Sequence, residues 1–318
     1  MYTYTIIIPH RNIPKLLQRC LDSIPHRDDL HIIVVDDNSD PDKVDFEHFP
    51  GNDRNDVELI FTKEGKGAGY ARNVGLEHAN SEKVLFADAD DFFNYCINDI
   101  LDEYKKDDSD IVFFDIISIN SDTYIHYVRG KLLNTIIEDN YKKDPKLAIM
   151  QLKYDQGAPW CKLIRKSLID EHKIKFDETI IHNDTHFSYL IGFHSLKVLV
   201  DSRALMSITY RQESITYTLS EEKILTRMKV FAERDLFMLE NNIPYSNINN
   251  MHIKTLANLY ESNKNLYDKC INVIETYKLD RNVYENIIKS IVRKRKVSRI
   301  KNSIKSLLFA SNKVSKKW

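Results

Sequence analysis

The sequence predicts an α/β domain followed by an all-helical C-terminal region. Three observations carry this. Short apolar runs alternate with amphipathic helical patterns through the first ninety residues. Two of those runs end directly in clusters of acids, at Asp36-Asp37 and at Asp88-Ala89-Asp90-Asp91. Beyond Thr218 the β-rich pattern does not return.

Residues 3–8 form the first strand, expected to stop at Pro9, which has no N–H to give a ladder. Pro14 suits the first position of a helix, and Leu16, Leu17, Cys20, Leu21 and Ile24 recur at helical spacing. Residues 31–35 and 57–61 are the second and third strands. Gly65-x-Gly67-x-Gly69 precedes a helix carrying Ala71, Val74, Leu76 and Ala79, in which Gly75 is a mild cost. Residues 84–87 are the fourth strand. Asp91 either reaches a metal through water or caps a helix after Phe92. Ser220 is a good N-cap for a helix to about residue 240. Further helices are expected at about 247–261, 266–277, 281–295 and 297–309. The expected division is 1–218 for the α/β domain and 219–318 for the helical region.

At 318 residues the chain can bury a sizeable core, and its charged fraction of 29% is that of a globular protein. Four scattered cysteines (Cys20, Cys96, Cys161, Cys270) form no C-x-x-C pair, which argues against a disulfide framework or zinc site. With no signal-like N-terminus and no apolar run of spanning length, a cytoplasmic protein is expected. Residues 281–318 hold twelve Lys/Arg against one acid, Glu285, a net +11; since the whole chain carries −1, the first 280 residues carry −12. Such asymmetry concerns partners rather than fold.

Chemistry is concentrated at the strand ends. An ionised carboxylate buried without a partner costs several kcal/mol, and like charges beside it add to that cost. Three carboxylates in four positions therefore point to a hard divalent cation with oxygen ligands, Mn²⁺ or Mg²⁺. Open α/β sheets bind ligands at this end of their strands. The glycine turn could offer backbone N–H groups to an anion, but it matches neither G-x-G-x-x-G nor a P-loop.

Four ordered blocks resemble one family: Ile6-Ile7-Ile8-Pro9-His10-Arg11-Asn12, Val34-Val35-Asp36-Asp37-Asn38-Ser39, Gly69-x-Ala71-Arg72-Asn73-x-Gly75 and Phe86-Ala87-Asp88-Ala89-Asp90-Asp91. They look like the inverting family 2 glycosyltransferases of bacterial surface-polysaccharide type. The similarity continues more faintly through Trp160–Arg165, Asn183-Asp184 and Tyr210–Thr216. The resemblance implies a GT-A fold: a Rossmann-like mixed central sheet flanked by helices, here with a helical C-terminal extension. It implies transfer of a hexose or N-acetylhexosamine from a nucleotide-sugar, with UDP favoured, to a hydroxyl of a lipid-linked or polysaccharide acceptor.

Site roles follow from the same resemblance. Pro9, His10, Asn12 and Asp37 would line the nucleobase side, with a carboxylate accepting the uracil N3–H. Arg72 and Arg211 would meet the nucleotide and its diphosphate. Asp88, Ala89 and Asp90 match the Asp-x-Asp, with Asp90 and Asp88 toward the metal. Asp184 would be the general base, with Asn183 in place of the family's Glu. The neighbouring His182, His186 and His194 have no metal-ligand spacing. Trp160 suits either a sugar platform or the core.

Two alternatives come with this reading. One is a catalytically silent GT-A scaffold that binds a glycan. The other is a nucleotidyltransferase, disfavoured because Pro9-His10-Arg11-Asn12 lacks a glycine-rich basic signature. In residues 297–309, Val297, Ile300, Ile304, Leu307 and Leu308 share a helical face, with Arg299, Lys301 and Lys305 elsewhere. That pattern fits an anionic membrane surface better than nucleic acid, with packing on the body or self-association as the other reading.

Overall fold

The computed structural model describes residues 2–128, 130–211, 220–244 and 251–314, with side chains described as far as residue 298. The chain divides into two compact units, Met1–Thr218 and Leu219–Trp318.

The first unit opens β1 (Tyr2–His10), α1 (Pro14–Asp22), β2 (Leu30–Asp37), β3 (Val57–Thr62), α2 (Ala68–His78) and β4 (Ser81–Phe86). This is the expected order. There follow β5 (Phe92–Phe93), α3 (Ile97–Glu103), β6 (Ile111–Asn120), α4 (Lys131–Thr135), α5 (Tyr141–Lys143) and α6 (Pro145–Asp155). β7 (Lys162–Arg165), α7 (Lys166–Glu171), α8 (Thr185–His194) and β8 (Val198–Tyr210) complete the unit.

All eight strands form one mixed sheet in the order β3-β2-β1-β4-β7-β6-β8-β5. β1 is parallel to both neighbours, with Ile6 opposite Ile32 and Leu85. β7 runs antiparallel to both β4 and β6. The C-terminal ends of β1, β2 and β4, the last two bearing or leading into acids, therefore meet at one edge. Ile6, Ile8, Leu17, Leu21, Val34, Leu85, Phe86 and Phe187 lie in the core beneath it.

Tertiary packing corrects three local expectations. β1 does not stop at Pro9: Pro9 pairs with Val35 and His10 with Asp36. Ala87 N–H donates to Ile7 C=O at 3.1 Å, so alternate residues of β1, Pro9 among them, turn their amide groups toward β4. β4 has ended at Phe86, so no ladder bond is lost. Phe92 opens a two-residue strand on β8 rather than a helix. Gly75 is required rather than merely tolerated, because a Cβ there would lie 2.5 Å from Ile7 Cγ2 where α2 crosses β1.

The second unit holds α9 (Glu221–Glu240), α10 (Met251–Ser262), α11 (Lys264–Thr276) and α12 (Arg281–Val314). Ser220 Oγ accepts Lys223 N–H at 3.3 Å, as an N-cap should. Met228, Ile253, Leu256, Tyr267, Ile271 and Ile288 form a separate core. The two last expected helices run on as one, since no proline or glycine lies between them. The side chains of Arg299, Ile300, Lys301, Ile304, Lys305, Leu307 and Leu308 lie outside the described residues, so the expected apolar face is not seen. Among the described residues no helix is long and apolar enough to cross a membrane.

Candidate active site

The turn after β2 separates two adjacent acids. Asp36 braces it: its carboxylate accepts from Ser39 N at 2.8 Å, Ser39 Oγ at 2.5 Å and His10 Nδ1 at 2.7 Å. Burial pushes its pKa up, but the bonds from His10 and Ser39 outweigh burial and hold it below the usual range. Asp37 points the other way, as alternate strand residues must. Its Oδ2 accepts Gly67 N–H at 2.8 Å and lies 3.4 Å from Arg11 Nη1, while Oδ1 finds no partner among the described residues. Burial pushes this carboxyl's pKa up despite the Gly67 bond.

Two expectations change here. The His10 side chain is fully buried, its Nε2 accepting Ile13 N–H and its Nδ1 engaging Asp36. It rests edge-on against Phe49, so it supports the turn and cannot stack on a base. The glycine turn offers its Gly67 amide to Asp37, an anion of the protein itself, rather than leaving it for a phosphate. Asn12 joins the loops after β1 and β2, its N–H donating to Ser39 Oγ and its Oδ1 accepting Asp40 N–H.

Beyond β4, one carboxylate oxygen from each of Asp88, Asp90 and Asp91 lies within 4.8 Å of the others. Asp88 and Asp90 are partly open, with side-chain exposures of 32% and 23%, whereas Asp91 is buried. Asp91 does not cap a helix; its Oδ1 accepts Thr209 N–H on β8 at 2.6 Å. The Asp90 carbonyl accepts Arg19 Nη2 at 2.5 Å and Thr209 Oγ1 at 2.7 Å. Ala89 is buried between the two exposed acids. Arg211 Nε stands 3.1 Å from Asp90 Oδ2. The rest of the Tyr210–Thr216 block, residues 212–216, lies outside the described residues. Three hard oxygen donors, two of them reachable, fit a Mn²⁺- or Mg²⁺-sized ion.

Arg72 is buried on α2, its Nη2 2.5 Å from Asp88 Oδ1 and its Nη1 2.9 Å from Asn183 Oδ1. Asp184 follows at the N-terminus of α8, and its side chain makes no capping hydrogen bond among the described residues. Burial pushes the Asp184 pKa up, opposed by the positive charge of Arg72. Lys162, fully buried, donates to Gln156 C=O at 2.8 Å, and burial draws its pKa down to about 8.

Trp160 is buried in the core, and His194 stacks on His172 at 3.6 Å. No histidine joins a metal-sized group among the described residues. Sequence reasoning missed Arg19 and Thr209. Arg19 resembles an ordinary surface cation in sequence, and only the fold brings it and Thr209 of β8 to the Asp90 carbonyl.

Comparison with known proteins decides the family. The family model described as Glycosyl transferase family 2 matches residues 5–172, more than half the chain. This chain belongs to glycosyl transferase family 2. EpsH of Bacillus subtilis is similar to this family 2 enzyme, 25% identical over 248 residues, which is 75% of this chain and 70% of EpsH. The poly(ribitol-phosphate) beta-N-acetylglucosaminyltransferase TarS of Staphylococcus aureus is 26% identical over 186 residues, 57% of this chain and 30% of TarS. The crystal structure of TarS 1-349 in complex with UDP-GlcNAc superposes with a TM-score of 0.61 at 18% identity, covering 92% of both chains. A mannosyltransferase from Pyrobaculum calidifontis, solved with GDP-Man and Mn2+, gives 0.52 at 14% identity, covering 96% of this chain and 81% of that one. The fold of this glycosyltransferase is the GT-A fold of TarS, with C-terminal helices.

Proposed function

We propose that this glycosyltransferase is metal-dependent and inverting, and moves a sugar from a UDP-sugar to a hydroxyl of a polymeric or lipid-linked surface glycan. The observation that carries the reading is the group of Asp88, Asp90 and Asp91 oxygens joined, through Asp88, Arg72 and Asn183, to the segment that carries the carboxylate of Asp184.

Asp88 and Asp90 would hold Mn²⁺ or Mg²⁺, which when bound supplies Lewis-acid charge for a departing diphosphate. As the resemblance implies, Asp37 would accept the N3–H of uracil, with Pro9 at the end of β1 and Asn12 in the loop after it nearby; its Oδ1 is buried without a partner among the described residues. Arg211 stands where its guanidinium can turn from Asp90 to the diphosphate. Asp184 accepts the proton of the acceptor hydroxyl as that oxygen attacks the anomeric carbon from the face opposite the leaving group. Burial suits it to this, because a raised pKa makes a carboxylate a stronger base near neutral pH. TarS, solved with UDP-GlcNAc and named for a poly(ribitol-phosphate) acceptor, supports a UDP-sugar donor and a polymeric class of acceptor. The Mn2+ in the mannosyltransferase supports the metal. We further read the basic end of α12 as the part that holds the enzyme at the cytoplasmic face of an anionic membrane.

Calorimetric titration of UDP, GDP and CDP, each with Mn²⁺ and with EDTA, tests the donor site. The expected result is UDP binding that collapses in EDTA and in Asp90→Ala. Metal-independent binding, or tighter GDP binding, would remove the metal or the uracil reading respectively.

A further inference from the structure

The block Gly69-x-x-Arg72-Asn73 reads in the sequence as part of a nucleotide site. In the structure its side chains turn toward the segment that carries the base. Residues 69, 72 and 73 share one face of α2. A Cβ on Gly69 would lie 1.9 Å from Asp177 C=O, so only glycine lets that segment come so close. Asn73 and Phe176 exchange two hydrogen bonds, Nδ2 to C=O at 2.9 Å and N–H to Oδ1 at 2.8 Å. Asp177 N–H then donates to Asn183 C=O at 2.9 Å, closing the loop that delivers Asp184.

Arg72 is the third connection, and it differs from the others in reaching both halves of the site. One planar fork joins Asn183, next to the base, to Asp88, next to the donor. Its Cζ lies 5.4 Å from the Phe176 ring centroid, and its side-chain exposure is 6%. A guanidinium is rigid, so both acceptors are fixed relative to one another. Asn183 is neutral, so it takes one arm of the fork without neutralising the charge that Asp88 shares.

We propose that Arg72 is a positioning residue that acts through Asn183 to hold Asp184 in register with the donor carboxylate Asp88. The proposal rests on Asp184 being the base. The arrangement joins two segments separated by 111 residues, so donor-side and acceptor-side groups would move as one unit. Near-attack geometry tolerates little displacement, and a shift of about 1 Å in a catalytic group can cost about a hundredfold in rate.

The test compares Asn183→Ala, Asn183→Asp, Arg72→Met and the Asn183→Ala/Arg72→Met double variant with wild type. Three quantities are read: UDP affinity with Mn²⁺ by calorimetry, UDP release from UDP-N-acetylglucosamine, and amide hydrogen exchange over residues 174–188. Asn183→Ala should leave UDP affinity within about twofold yet lower kcat by about tenfold or more with donor KM unchanged. Asn183→Asp, which keeps the acceptor oxygen, should restore most of kcat. Exchange over 174–188 should rise in Asn183→Ala and rise no further in the double variant than in Arg72→Met. Unchanged kcat in Asn183→Ala, or a loss matched by an equal loss of UDP affinity, overturns the proposal. If wild type neither binds UDP nor turns over this donor, the donor reading fails. Exchange still decides the clamp: a rise supports it and an unchanged pattern overturns it.

Discussion

As the proposed base, Asp184 shows how burial that tunes a carboxyl also costs stability. Proton acceptance requires its ionised form, so turnover should fall as pH drops through its raised pKa, placing the acid limb above the usual carboxylate range. Asp184→Asn should lower transfer by about 10²–10⁴-fold while UDP affinity stays nearly unchanged. Surviving transfer would assign the base elsewhere. The same shift predicts stability with the opposite sign. A carboxyl whose folded pKa is raised detracts from stability once pH exceeds its unfolded pKa. Asp184→Asn should therefore melt higher than wild type at neutral pH, with the gap closing as pH falls below the usual carboxylate range. Thermal melts across pH measure it, and a lower neutral melting point would contradict the burial argument.

Among the elements, α2 carries the heaviest constraint. One face approaches β1 so closely that Gly75 has no room for a methyl group, and its N-terminal turn meets Asp177 at Gly69. Elsewhere in a helix, Gly→Ala gains about 1 kcal/mol. Here overpacking against a core strand costs about 1–3 kcal/mol, so the clash should win. Gly75→Ala should lower the thermal midpoint, with UDP binding retained in the folded fraction; a raised midpoint would mean that Ile7 yields easily. β8 matters in a different way. Thr209 binds both the Asp90 carbonyl and the Asp91 carboxylate, so a strand late in the chain sets the geometry of an early motif.

At the scale of the molecule, charge is distributed unevenly. Arg293, Lys294, Arg295 and Lys296 are consecutive on α12, in a region that is net basic while the first 280 residues are net acidic. A Lys or Arg near an anionic bilayer contributes about 1 kcal/mol, and salt weakens the effect. Deleting residues 299–318 should weaken co-sedimentation with phosphatidylglycerol vesicles, and replacing Arg293, Lys294, Arg295 and Lys296 by Gln as well should abolish it, while UDP binding stays intact. Equal sedimentation with neutral vesicles, or no dependence on salt, would remove the membrane reading.

The sequence by itself determined the first four strands, the two helices between them and the helical C-terminal region. Apolar runs, the Pro14 and Ser220 signals and the Asp clusters are local patterns, and a strand or an N-cap forms from its own few residues. Four ordered blocks sufficed to indicate the family. The tertiary structure decided what each polar residue does. Strand parity made Asp36 a brace for its own turn and turned Asp37 toward the Gly67 amide. The early end of β4 let β1 run through Pro9. Partners 111 and 118 residues away claimed Arg72 and Asp91. The reason is physical: a hydrogen bond between distant segments leaves no periodicity in either one, so its partners appear only when the sheet brings them to the same edge.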